Sequence, residues 1–236
     1  FGMAYTDVIT PRFAVAALIA ALDYRRRTGK GQVLDVAQLE TAIHFLSPQI
    51  LDYTVNGRVG NREGNRCPYA CPHGVFPCRG EDSWCAIAVF TDEEWHSFKQ
   101  VVGRPWTEDI KFSTLLYRKR NEDELDRLIS EWTTSFTAGY LMELMQNAGV
   151  PAGVVQSAED IINDPQLKLR NSFWMMEHKV LGPYAHLGQP FTLSKTPAQP
   201  RMPAPCLGEH TECVCTKLPG MADEEFVELV AAGAFD

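Results

Sequence analysis

The longest purely apolar run in the chain covers residues 13–22, between Thr10-Pro11-Arg12 on one side and Arg25-Arg26-Arg27-Thr28-Gly29 on the other. Proline suits the first turn of a helix and glycine ends one, so a helix is predicted from Pro11 to about Arg27. Its body is rich in alanine (Ala14, Ala16, Ala17, Ala20, Ala21), which allows the close backbone approach expected of a helix lying on a sheet. Residues 33–36, Val-Leu-Asp-Val, predict a short buried strand, and residues 37–55 a second helix. Strand, helix and glycine turns in this order suit an α/β layer.

The pattern then changes in kind. Residues 56–80 are crowded with glycine, proline, arginine and cysteine, and predict loop with little regular structure. Residues 84–90 alternate well enough for a strand. Thr91-Asp92-Glu93-Glu94 has the spacing of a capping box, so a helix is predicted from Asp92 to about Val102. Residues 121–136 and 137–148 predict two amphipathic helices, with Leu125, Leu128, Ile129 and Trp132 sharing one face of the first. Residues 149–155 read as a strand, and Ser157 opens a short helix to about Asn163. Residues 171–207 are proline-rich strand and loop, and helices are predicted near residues 209–217 and 222–232.

Composition narrows the classes. The chain has 236 residues, 45% hydrophobic, with a net charge of −8. That balance argues against a nucleic-acid groove, which needs clustered Lys and Arg. The one basic cluster, residues 25–30, ends a helix, where cations suit the helix dipole. Ten apolar residues in a row are about half of what crossing a bilayer takes, so no membrane span is predicted. The opening Phe-Gly-Met-Ala-Tyr, with an Asp at position 7, lacks the pattern of a secretory leader. Seven cysteines in a chain of this size point to a reduced, cytoplasmic protein rather than to disulfide staples.

Two groups of residues carry candidate chemistry. Asp7 stands at the mouth of the first apolar helix, where a carboxylate can serve as nucleophile or base; these residues alone favour a helix cap or a solvated side chain over either role. Cys67, Cys71, His73 and Cys78 supply four soft ligands within twelve residues, which allows a zinc-binding structural module. The spacing is irregular and broken by prolines, which favours plain buried thiols and no metal. Glu40 and His44, four apart on one helix, read as a polar face, and Trp84, Trp95, Trp106 and Trp132 as core.

Five segments, in order along the chain, resemble the family III CoA-transferases. They are the segment around Asp7, "AALDYRRRTGKGQVLDVAQLETA" (20–42), "CPHGVFPCRGEDSWCAIAVFTDEEW" (71–95), "GVPAGVV" with "DPQL" (149–167) and "PAPCLGEHTE" (203–212). The resemblance implies an α/β fold: the second half of a Rossmann-like large domain with an inserted small α+β subdomain, in chains that interlock as a homodimer. On that pattern residues 1–58 are the large-domain segment with the catalytic Asp, residues 59–150 the small subdomain, and residues 151–236 a linker and the return to the large domain. The N-terminal half, with most of the CoA contacts, would then precede this chain.

The resemblance implies a transferase that moves CoA from an acyl-CoA donor, such as succinyl-CoA, to a small carboxylic acid. Acyl-CoA is the substrate, with no permanently bound cofactor. Asp7 takes the nucleophile's place, passing through an aspartyl anhydride and an aspartyl-CoA thioester. A carboxylate is ionised at neutral pH without a base beside it, and splitting one exchange into covalent steps lowers each barrier. Water must be excluded, since an anhydride hydrolyses. Gly57, Gly60 and Gly64 mark the candidate lid loop. Pro11 departs from the pattern, because many relatives have glycine four residues after the Asp. The nearest alternative is an α-methylacyl-CoA racemase or epimerase, in which the Asp is a proton-transfer base. Racemases carry a Glu where this chain has Thr91, which argues for transfer.

Overall fold

The buried core of the computed structural model, which describes residues 4–235, is built from one side of a small antiparallel sheet and the helices laid on it. Its strands are β1 (His73–Pro77), β2 (Trp84–Ala88) and β3 (Ala152–Val154), in the order β1-β2-β3. Alternation along β2 turns Cys85 and Ile87 inward, followed by Val89 beyond the strand, while Ala86 and Ala88 face out. Register carries this across the sheet: Val75 pairs with Ala86, and Ala86 with Gly153. β1 lies inside the stretch predicted as loop. Its Gly and Pro give weak strand propensity, and the pairing with β2 supplies the order, with Phe76 driven into the core. β2 ends at Ala88, two residues before the predicted limit of the strand.

The helices of this region were largely predicted. The helix Asp92–Val102 starts on the full capping box, Thr91 Oγ1 accepting from the Glu94 N–H at 3.1 Å and Glu94 Oε2 from the Thr91 N–H at 3.2 Å. Leu125, Ile129 and Trp132 are buried on the helix Glu122–Thr133, and Leu128 packs against the same core. The short helix Leu115–Arg120 precedes it, and the helix Ala138–Asn147 adds Leu141 and Met145. Arg118 is 1% exposed: its Nε donates to the Cys71 carbonyl at 2.8 Å and its guanidinium lies 4.6 Å above the Trp95 ring. Burial lowers its pKa, yet both ends of the cation are satisfied, by carbonyls and by the ring face.

Outside this core the chain exposes its apolar faces. The first helix, α1, runs Tyr5–Thr28 and ends at Gly29, whose φ of 73° is the left-handed cap that glycine adopts freely. It starts before Pro11, which lies inside it. Ile9 is its only buried residue among those described, while Phe13, Val15, Leu18, Ile19 and Leu22 are exposed. Contrary to the reading of the apolar run alone, this 24-residue helix is long and apolar enough to cross a membrane by length and composition. Residues 33–36 do not form the predicted strand: they carry no regular secondary structure, and Val33 is 94% exposed. A strand needs a neighbour's backbone donors and acceptors, and none of the described residues offers them there. The predicted helix over 37–55 is broken into α2 (Gln38–Ile43), a 3-10 turn (His44–Leu46) and α3 (Ser47–Asn56), because Pro48 has no N–H to continue the ladder. After β3, short helices (Ala158–Asn163, Pro165–Leu169) lead to a hairpin of β4 (Phe173–His178) and β5 (Gly182–Leu187), then helices Thr211–Lys217 and Asp223–Ala231.

Candidate active site

Asp7 lies in the first turn of α1 with its side chain exposed, at the end of the helix where the macrodipole favours an anion. It is not the cap: the N-cap position is Ala4, whose carbonyl accepts the Asp7 N–H at 3.2 Å, and the helix start carries no side-chain cap. Pro11 has no N–H to offer the Asp7 carbonyl, so the backbone at this residue is freed from the helical ladder.

The carboxylate is held from across the chain. Gln38 Nε2 donates to Asp7 Oδ1 at 3.0 Å. Gln38 opens α2, and its place is fixed by buried Thr41, whose Oγ1 donates to the Gln38 carbonyl at 2.9 Å and meets Thr10 Oγ1 at 2.7 Å. Since Thr41 gives its only hydroxyl proton to that carbonyl, Thr10 is the donor between the two hydroxyls. The order Thr10 to Thr41 to Gln38 to Asp7 therefore clamps two helices and aims one carboxylate oxygen, leaving Oδ2 for other partners. Gln38 was missed in the sequence reading; the signal was its place within "DVAQLETA", one of the family-like segments.

Aromatic rings wall this corner. Phe13 stacks on His44 at 5.6 Å, and Phe45 meets Tyr5 at 6.1 Å and Phe13 at 6.2 Å. His44 thus packs on an aromatic face of the corner.

The three candidate lid glycines occupy one loop. Gly57 closes α3 with φ 67°, its N–H donating to the Tyr53 carbonyl at 2.9 Å. Gly64 also has a positive φ, of 64°. A side chain at Gly57 or Gly64 would meet nothing within 4 Å, and one at Gly60 only Gln49 at 3.9 Å. The loop is anchored at both ends. At its start Asp52 accepts from Asn56 at 2.7 Å and from the Arg58 guanidinium at 2.6 Å, and these bonds hold its pKa below the usual carboxylate value. At its end Arg66 binds Asp123 and, at 3.3 Å, Asp126 on the helix Glu122–Thr133.

The Cys/His quartet does not converge. Cys71 is in the core, and burial pushes its thiol up to about 12. Buried Cys78 points its thiol at the Phe76 carbonyl, and His73 Nδ1 donates to the Asn65 carbonyl. Among the described residues no three His, Cys, Asp or Glu side chains are placed to share a metal ion. Thr91 is occupied as the cap of its helix.

Comparison with known proteins agrees with the segments that carried the resemblance. Residues 1–211 match the model of CoA-transferase family III. The chain is 30% identical over 231 residues to the succinyl-CoA–D-citramalate CoA-transferase of Chloroflexus aurantiacus, covering 98% of this chain and 57% of that protein. It is 29% identical to the succinate–glutarate CoA-transferase of Agrobacterium fabrum, covering 92% of this chain and 54% of that one. A crystal structure of a CAIB/BAIF family protein from Brucella suis superposes with a TM-score of 0.81 at 27% identity, over 92% of this chain and 56% of that one. The chain thus spans a little over half the length of these relatives.

Proposed function

Because the chain belongs to CoA-transferase family III, we propose that the complete protein moves CoA from an acyl-CoA donor, succinyl-CoA, to a small carboxylic acid, with Asp7 as nucleophile. The observation that carries this reading is the aimed carboxylate: a side chain at a helix N-terminus, one oxygen fixed by Gln38, the other open. The names of the two transferase relatives, both built around succinate or its CoA ester, support the donor.

In the proposed cycle the Asp7 carboxylate attacks the thioester carbonyl, and the C–S bond breaks to give a mixed anhydride and CoA thiolate. The thiolate attacks the aspartyl carbonyl and displaces the donor acid, leaving aspartyl-CoA. The acceptor carboxylate attacks that thioester and releases the thiolate again. The thiolate then takes the acceptor's acyl carbonyl, and Asp7 is free. No net proton or electron moves, so the site needs geometry, dryness and oxyanion donors. The amide of Gln38 acts on geometry, fixing Oδ1 so that Oδ2 meets the carbonyl carbon. Gly57, Gly60 and Gly64 lie on the loop we assign to water exclusion.

The buried core confined to residues 71–150 supports reading residues 59–150 as the inserted subdomain. The exposed apolar face of α1 supports a place for residues 1–58 within a larger domain, in an interlocked homodimer. Seven free cysteines support a reducing, cytoplasmic setting. The alternative, an acyl-CoA racemase or epimerase, would lack its Glu, since Thr91 serves as a helix cap. Exchange of labelled CoA between two acids, run in deuterated water, separates the two. Transfer moves the label and leaves the α-carbon unlabelled; deuterium at the α-carbon without CoA exchange would refute the proposal.

A further inference from the structure

The hydrogen bond from Gln38 Nε2 to Asp7 Oδ1, 3.0 Å long, reaches the oxygen that the proposed cycle leaves on the aspartyl group throughout. Acylation uses Oδ2, so Oδ1 stays as the aspartyl carbonyl oxygen in both the anhydride and the aspartyl-CoA. In those two states Asp7 is the electrophile. When CoA thiolate attacks its Cγ, the carbonyl electron pair moves onto Oδ1, and collapse expels the donor acid together with Oδ2. When the acceptor carboxylate attacks the aspartyl-CoA, the pair moves onto Oδ1 again, and collapse expels the thiolate. Both times a full negative charge lands on the atom that Gln38 already faces.

A donor that stabilises such an oxyanion lies about 2.7–3.1 Å from it and is in place before the reaction. Gln38 meets that distance. Only its NH2 end can face a carboxylate, which has no proton to give, so chemistry fixes how the amide is turned. Its backbone is held as well. The Gln38 carbonyl accepts from Thr41 Oγ1 at 2.9 Å, and Thr41, buried, meets Thr10 Oγ1 at 2.7 Å. Thr10 follows Asp7 by three residues on α1, so donor and nucleophile share one frame.

The distribution of charge decides which steps gain. The resting carboxylate spreads one charge over two oxygens, the anhydride and thioester carbonyls carry none, and each tetrahedral state concentrates it on Oδ1. We infer that Gln38 is a catalytic residue, the oxyanion donor for the two steps in which the aspartyl carbonyl is attacked. The inference rests on the transferase reading with Asp7 as nucleophile. The two steps at the substrates' own carbonyls put their charge on the substrates' acyl oxygens instead of Oδ1, and this donor does not assist them.

Two experiments on the complete protein test it. In the first, the aspartyl-CoA enzyme is made with succinyl-CoA, freed of small molecules and mixed with succinate, and loss of the Asp7 adduct is followed by rapid quench and mass spectrometry. In Gln38→Met, which keeps the side chain's length and removes its N–H, the adduct disappears about 10-fold or more slowly, with the melting temperature unchanged. In the second, the carbonyl stretch of the wild-type aspartyl-CoA is read by isotope-edited infrared spectroscopy. It lies below that of a model thioester in a solvent without hydrogen-bond donors. Adduct loss within about twofold of the wild type, or a stretch equal to the model's, overturns the inference and leaves the transferase reading standing, since the adduct on Asp7 is still seen. If the variant forms no adduct, the wild-type stretch decides alone. Absence of any Asp7 adduct in a wild type that exchanges CoA would remove both.

Discussion

At the scale of single residues the account turns on two side chains that the sequence separates and the fold joins. Asp7 was legible as a candidate because of its place before the apolar helix and within a family-like segment. Gln38 was not, since an amide 31 residues away becomes its partner only when α1 and α2 cross. The two should behave differently. Asp7→Ala removes the atom proposed to be acylated, and CoA exchange should fall by about 10³-fold or more. Gln38→Ala leaves the nucleophile but frees its carboxylate. A fall of about 10-fold in kcat with little change in KM is expected, checked by steady-state kinetics. A loss in Gln38→Ala equal to that in Asp7→Ala would contradict this difference.

Asp126 offers a test by pH. Burial, the larger cause, raises its pKa, and the Arg66 hydrogen bond only partly opposes this. A carboxyl whose folded pKa is raised favours the protonated native state. Its contribution is therefore complete below the ordinary carboxylate pKa and is lost as pH rises through the folded value. Asp126→Asn should raise the melting temperature at neutral pH by an amount worth no more than about 1 kcal/mol, with the gain vanishing toward pH 3. Thermal melts of the two proteins across that pH range read it directly; a constant difference would contradict the sign.

Among the elements, the legible ones carry their signal locally. The Thr91 capping box and the Leu125, Ile129 and Trp132 stripe lie within four turns of the residues they organise. β1 was illegible because its Gly and Pro weaken any local signal and its order comes from β2. The reverse failure is residues 33–36, which have strand composition but no partner strand among the described residues. The long predicted second helix failed at Pro48, a visible breaker given too little weight. Thr91→Ala should cost about 1 kcal/mol of stability by losing the cap. With the protein still folded it should leave CoA exchange within about twofold, since the residue caps a helix and touches no proposed reacting group. A selective loss of activity would instead revive the racemase register.

For the whole molecule the telling contrast is between one well-filled core and wide apolar faces on either side of it. Residues 71–150 hold nearly all the buried hydrophobic side chains, while α1, α3 and the residues after 154 expose theirs. Domain cores do not leave such faces bare. The chain covers 57% and 54% of the length of the two transferases compared above, and the proposed architecture expects the exposed face of α1 to be covered. A polypeptide of residues 59–154 should unfold cooperatively as a monomer, whereas the 236-residue chain expressed alone should self-associate and bind a hydrophobic dye. Sedimentation and dye fluorescence distinguish these outcomes, and a monomeric, dye-silent 236-residue chain would contradict the unpartnered faces.

The most direct measurement is chemical. The complete protein, incubated with succinyl-CoA and quenched with hydroxylamine, should carry a hydroxamate on the Asp7 side chain, visible as a mass shift on its peptide and absent without the donor. An unmodified Asp7 in an enzyme that still exchanges CoA between acids, or a hydroxamate on a different carboxylate, would contradict the account.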